Sequence, residues 1–278
     1  MNFIKYLSLL TAFFLLSSCA YIKNLPDEQF YEFMNEHKVT YVNDSLKFHM
    51  INPLRCPLRV KIKSNPGDKE LEEKIGVITL SELNDTIISI HYPDLLKSQS
   101  IRFISNRGDL NKEIRKNNVA YPFVNGKEYT IIQGYNGKFT HNSIKSKYAI
   151  DFDLKIGDTI TSVEDGYVVG VIEDYIDYGL SKKWRENDKS NYITLYHPHS
   201  GLFTQYVHLD HKGSLVNLGD HIKKNQPIGL SGMTGFTTTP HLHFNVKIPD
   251  KENGFKSTEI EFENGIKGKD LKRNDVVN

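Results

Sequence analysis

The stretch Thr239-Pro240-His241-Leu242-His243-Phe244-Asn245-Val246 alternates polar and apolar residues with the period of an extended strand. Read that way, Leu242 and Phe244 face a core, while His241 and His243 stand together on the opposite face and carry two imidazoles to one site. An HxH pair alone does not separate a metal site from two histidines on a polar strand face. His197-Pro198-His199 is a second such pair, but its proline and the following Ser200-Gly201 mark a strand end and a turn.

Working outward, the chain from Tyr121 reads as a series of short extended runs at residues 129–133, 149–154, 159–163, 167–173, 192–197, 202–209, 221–222, 227–230 and 241–248, separated by glycine-containing turns. This is an all-β reading: a C-terminal, β-rich barrel or sandwich over residues 121–250. A short internal repeat supports hairpins, since Ile156-Gly157-Asp158-Thr159-Ile160 and Leu218-Gly219-Asp220-His221-Ile222 each lead into a further run. Lipoyl and biotinyl carrier domains use similar turns but present a lysine beside methionine, and no Met-Lys pair occurs here.

Upstream, residues 38–118 hold shorter runs at 40–42, 46–49, 58–62, 75–80, 85–90 and 101–104, broken by Asn65-Pro66-Gly67-Asp68 and Asn106-Arg107-Gly108-Asp109. That spacing predicts a small antiparallel β-sandwich. Its histidines, and Cys56, are scattered, so it is expected to carry or orient the domain that follows. With 278 residues, 38% hydrophobic and 25% charged, the chain is long enough to bury a core without a disulfide framework. Its 35 basic and 34 acidic residues give a net charge of +1, so no overall field directs it to nucleic acid and recognition must be local.

Four further motifs keep company with the first strand. His141 follows Phe139-Thr140, read as a strand end; Tyr148-Ala149-Ile150-Asp151-Phe152-Asp153 opens the next run; Gln205-Tyr206-Val207-His208-Leu209 supplies another histidine; and Gly232-Met233-Thr234-Gly235 precedes His241. In this order they closely resemble the LytM/lysostaphin-type zinc metallopeptidases, enzymes that cut the peptide part of bacterial peptidoglycan, over about residues 125–250. The resemblance implies one zinc ion held by His141, Asp151 and His243, with its fourth position left to a water of pKa about 7. It implies that His208 and His241, the non-ligand histidines, take the proton of that water and stabilise the oxyanion. No HExxH helix is present, so no glutamate base is available for this work. Ten residues separate His141 from Asp151, more than the commonest family spacing. Asp153, two residues beyond Asp151, is therefore kept as the alternative ligand. Thr239 stands where the family usually has glycine. The implied function is a peptidoglycan endopeptidase. The alternative is an inactive relative that binds or activates a separate cell-wall amidase, and that role needs no metal.

At the N-terminus, residues 1–18 read as an export signal: Lys5 precedes an apolar run over 6–16 and then Ser17-Ser18. The run is shorter than the roughly 20 residues that span a bilayer. Leu16-Ser17-Ser18-Cys19 resembles the bacterial lipobox, which implies a lipid anchor on Cys19. Ala20 implies, by resemblance to Gram-negative lipoproteins, the outer membrane facing the periplasm. Residues 19–37 are expected to be a tether. The polar segment 177–190, which contains Trp184 and Arg185, is long for a hairpin connection and is placed on the groove rim. His197, His199, His211 and His221 are expected at the surface; in the extension 251–278, one strand is expected at Thr258 to Phe262 and the Lys- and Asp-rich tail after it is expected to be frayed. Expected partners are peptidoglycan, the membrane through Cys19, and a cell-wall regulatory protein.

Overall fold

A computed structural model describes residues 25–65, 67–93, 100–115, 118–187 and 189–278; the export signal and Cys19 lie outside the described residues. Among the described residues, no helix is long and apolar enough to cross a membrane. The chain is nearly all β.

The strand Leu242–Asp250 is the middle of a nine-stranded antiparallel sheet. It lies between Leu202–Val207 and Ile150–Phe152, with His243 opposite Val207 on one side and Asp151 on the other. Beyond these come Tyr192–His197, Gly166–Ile172 and His221–Ile222 in one direction, and Tyr129–Gln133 and Val276–Val277 in the other; Gly254–Ser257 pairs with the far end of the middle strand. Alternation along each strand divides the faces. Leu242, Phe244 and Val246 join Leu195, Tyr206 and Val168 in one apolar core, closed by Ile160, Leu209 and Ile228 of a second, three-stranded sheet. Each large apolar side chain buried there contributes about 1.5–3 kcal/mol.

The other face of the central sheet has two tenants. At one end it carries the histidines and a groove. At the other, Val169, Tyr196 and Phe203 pack into the core of the N-terminal unit, against residues such as Phe48, Met50, Leu58 and Ile62. That unit is a pair of three-stranded antiparallel sheets: Lys38–Val42, Ser45–Ile51 and Asp85–His91 form one, and Val77–Leu80, Leu58–Asn65 and Ser100–Arg107 the other. Arg59, 5% exposed, fastens the units together, donating to the carbonyls of Arg107 and Gly108 on its own side and of Asp250 and Gly254 on the other. Cys56 is buried and unpaired; burial pushes its thiol up to about 12, so it is an unreactive core residue.

Several expectations are corrected. Helix Lys69–Ile75 stands where none was read, capped by the Asp68 side chain, which accepts from Leu71 N at 3.0 Å. The tail after Phe262 is not frayed: Leu271 and Val277 are buried, and Val276–Val277 pairs with Tyr129–Gln133. His197 is fully buried, its ring nitrogens bonded to the Asp165 carbonyl at 3.0 Å and Thr204 Oγ1 at 2.8 Å; His199, His211 and His221 are exposed. Phe139-Thr140 lies in turns, not at a strand end. Residues 25–37 form no helix or strand, yet they are pinned. Lys189 Nζ donates to the Glu28 carbonyl at 2.5 Å, and the Phe30 ring meets Tyr175 edge-on at 4.9 Å.

Candidate functional site

His141, Asp151 and His243 reach one point from three elements. Asp151 sits in the middle of Ile150–Phe152, and the register sets it directly beside His243. His141 comes from the long connection between Tyr129–Gln133 and Ile150–Phe152. One ligand atom from each lies within 4.8 Å of the others. Asp151 Oδ1 is 3.1 Å from His141 Nε2 and 2.9 Å from His243 Nδ1, and the two ring nitrogens are 3.2 Å apart.

Tautomers follow from what the outer atoms touch. His141 Nδ1 lies 2.9 Å from the Gly134 carbonyl; donating there, it leaves the Nε2 lone pair turned inward. Asp151 Oδ2 accepts from Gln133 Nε2 at 3.1 Å, and Gln133 is itself fixed by Thr140 Oγ1 and the Phe139 N–H. Three lone-pair donors therefore converge in a buried spot, a set of nitrogen and oxygen ligands of the kind that would hold zinc. The charges agree with this. Burial opposes ionisation of Asp151, but His141 and His243 more than offset it and hold the carboxyl well below the usual range. His141 loses to burial and regains more from Asp151, ending above its ordinary value.

His208 and His241 flank this point. His208 adopts φ +68°, an uncommon backbone for a non-glycine residue that breaks the extended run between Leu202–Val207 and Leu209–Ser214. Its Nδ1 lies 2.7 Å from the Thr234 carbonyl, which the Gly232-Met233-Thr234-Gly235 motif supplies. Burial, then His241 and His243, push His208 well below its ordinary value, so it is neutral near pH 7. His241 Nδ1 lies 2.9 Å from the Thr239 carbonyl, and the His208 and His241 rings are 4.6 Å apart. Asp153 is not brought in; it pairs with Lys155 outside the cluster.

Asp151, His208, His241 and His243 line a groove of about 770 Å³, while His141 is fully buried. The segment 177–190 forms a helix, Lys182–Asn187, and its Trp184, Arg185 and Ser190 line one rim. Gln133, Gln205, Asn245, Lys247 and Arg273 also line the groove without having been singled out from the sequence. Carried past His243, the same alternation is the signal that would find Asn245 and Lys247; for Gln133 and Arg273 no local signal exists.

Residues 145–254 match Peptidase family M23. An uncharacterized metalloprotease of Buchnera aphidicola subsp. Baizongia pistaciae is 36% identical over 137 residues, 48% of this chain and 32% of that protein. Glycyl-glycine endopeptidase ALE-1 of Staphylococcus capitis is 34% identical over 98 residues, 35% of this chain and 23% of its own length. Peptidoglycan DD-endopeptidase ShyB of Vibrio cholerae is 33% identical over 124 residues, 44% of this chain and 26% of its own length. The chain thus spans a third or less of the length of these relatives.

Proposed function

Because residues 145–254 match Peptidase family M23, we propose that the chain is a zinc-dependent endopeptidase that hydrolyses an amide bond in the peptide part of bacterial peptidoglycan. The observation that carries this reading is the convergence of His141 Nε2, Asp151 Oδ1 and His243 Nδ1 on one point at the groove, with His208 and His241 beside them. Those three would hold the ion, which when bound supplies a Lewis acid and a water of pKa about 7.

The chain's own groups divide the rest of the work. Nδ1 of His208 and of His241 is engaged with a backbone carbonyl, so Nε2 of each carries the lone pair that faces the groove. One takes the proton of the attacking water and passes it to the departing nitrogen as the C–N bond breaks. The other holds the same water through its Nε2 lone pair, and the imidazolium formed by the first stabilises the charge that develops on the carbonyl oxygen. Gln133 is a positioning residue that sets the angle of the Asp151 carboxylate through Oδ2. The rival role, activating a separate amidase, needs no metal and is disfavoured by the retention of all five His and Asp positions. For the setting, we propose lipid anchoring through Cys19 at the outer membrane, facing the periplasm; the lipobox-like Leu16-Ser17-Ser18-Cys19 supports it.

The test uses the full-length chain purified in a non-ionic detergent. It is expected to bind about one zinc ion per chain and to release peptides, identified by mass, from purified peptidoglycan. His243→Ala should lose the metal and lower peptide release more than about 100-fold. Peptidoglycan left intact by the zinc-supplied parent would overturn the reading and direct the search to an amidase.

A further inference from the structure

The groove floor does not stop at His243. Along Leu242–Asp250 the period of two carries Asn245 and Lys247 onto the same face, and the facing strand sets Gln205 opposite Asn245. All three line the groove. Lys247 Nζ donates to Gln205 Oε1 at 2.5 Å. The ammonium therefore leans back from its own Cα over the Gln205–Asn245 pair, about 7 Å along the strand from His243. Asn245 is 1% exposed; its Nδ2 donates to the Lys145 carbonyl at 2.7 Å, while its Oδ1 is buried and accepts from no described residue. A buried acceptor in that state is costly until a donor reaches it.

The charge on the lining is one-sided. Asp151 is its one acid among the described residues, and it is engaged with His141 and His243; the bases are Lys145, Arg185, Lys247 and Arg273. Since the whole chain carries only +1, this excess belongs to the groove. A neutral glycine bridge offers such a lining nothing to pair with, whereas a peptide bearing carboxylates does.

We propose that the groove selects a peptide with a free carboxylate within about two residues of the scissile amide. Lys247 is the specificity-determining residue that pairs with it, and Asn245 Oδ1 accepts a main-chain N–H of the same peptide. The proposal rests on the groove being a peptide site, as in the function proposed above, but its binding test does not depend on cleavage.

Two probes test it: a cross-linked wall peptide with its carboxylates free, and the same peptide with those carboxylates converted to primary amides. Binding to the full-length chain is measured by calorimetry with the metal chelated, so that neither probe turns over. The free-carboxylate peptide is expected to bind about tenfold tighter. That ratio should fall toward one in Lys247→Gln and at high salt, and should persist in Lys247→Arg. Equal affinity for the probes, tighter binding of the amide, binding of neither, or an unchanged ratio in Lys247→Gln overturns the proposal. Where Lys247→Gln fails to fold, as judged by thermal unfolding, the parent chain's ratio and its salt dependence decide. Turnover by the zinc-loaded chain separates this proposal from the one beneath it. A tenfold binding ratio with no cleavage sinks the hydrolase and keeps the carboxylate site, and cleavage with equal binding does the reverse.

Discussion

His141 and His197 are both fully buried, and they differ in what their ring nitrogens meet. His141 faces a carboxylate. His197 meets only a carbonyl and a hydroxyl, nothing that compensates a full charge, and burial pushes it down to about 4. Below an unfolded value of about 6.5 the unfolded chain takes up a proton that the folded one refuses, so stability is complete above that pH and falls as pH drops toward 4. His197 alone should remove about 2 kcal/mol between pH 7 and pH 5. Urea unfolding at the two pH values checks this, and His197→Gln should shrink the difference by that amount. From sequence His197 looked like a surface turn residue, because the proline after it is local while the partners that bury it, Asp165 and Thr204, come from other strands. Asp151 and Asp153 could not be separated by alternation either. The strand ends at Phe152, which leaves Asp153 to its neighbour Lys155. Gln133 was invisible, since nothing local marks a glutamine that braces a carboxylate from the adjacent strand.

Strands were the most legible elements, and hairpin register explains why. Tyr129–Gln133 and Tyr192–His197 begin and end where their apolar alternation does. The run at 202–209 was read as one strand, but the φ of His208 divides it, and that turn is set by the Thr234 carbonyl far along the chain. Lys69–Ile75 and Lys182–Asn187 escaped notice because each is barely two turns long and buries few side chains, too short for a helical period to show. The internal repeat marks a recurring turn. Gly157 and Gly219 adopt φ +87° and +93°, and Asp158 and Asp220 each accept, through Oδ2, from the backbone N–H three residues back, at 2.7 and 2.8 Å. Nothing lies within 4 Å of where a Gly219 side chain would begin, so the cost of filling it is purely conformational. Gly219→Ala should lower unfolding stability by about 1 kcal/mol and Gly219→Asn by less, measured by urea denaturation at pH 7.

At the scale of the molecule, the N-terminal unit and the groove share one face of the central sheet, and no described residue before Ile132 lines the groove. Among the described residues, the accessory layer therefore contributes nothing to the groove wall. A small antiparallel unit was legible from run spacing; its seat on Tyr196 and Phe203 was not, because both read as ordinary strand residues. The seam includes an ion pair, Glu32 to Arg107 at 2.6 Å, with both side chains only 12–13% exposed. Glu32→Ala would strand the Arg107 guanidinium beside the Val169 carbonyl. It should cost about 3 kcal/mol of stability, and proteolysis within residues 25–37 should quicken relative to the parent. The same docked segment bears on how far the chain could reach from such an anchor. On the proposed lipidation of Cys19, Glu28, whose carbonyl Lys189 holds, lies nine residues along the sequence from the anchor. Nine residues at full stretch give a leash of about 30 Å, so the radius of action would be set by that leash, and residues inserted ahead of Glu28 would let the blade reach deeper into the wall.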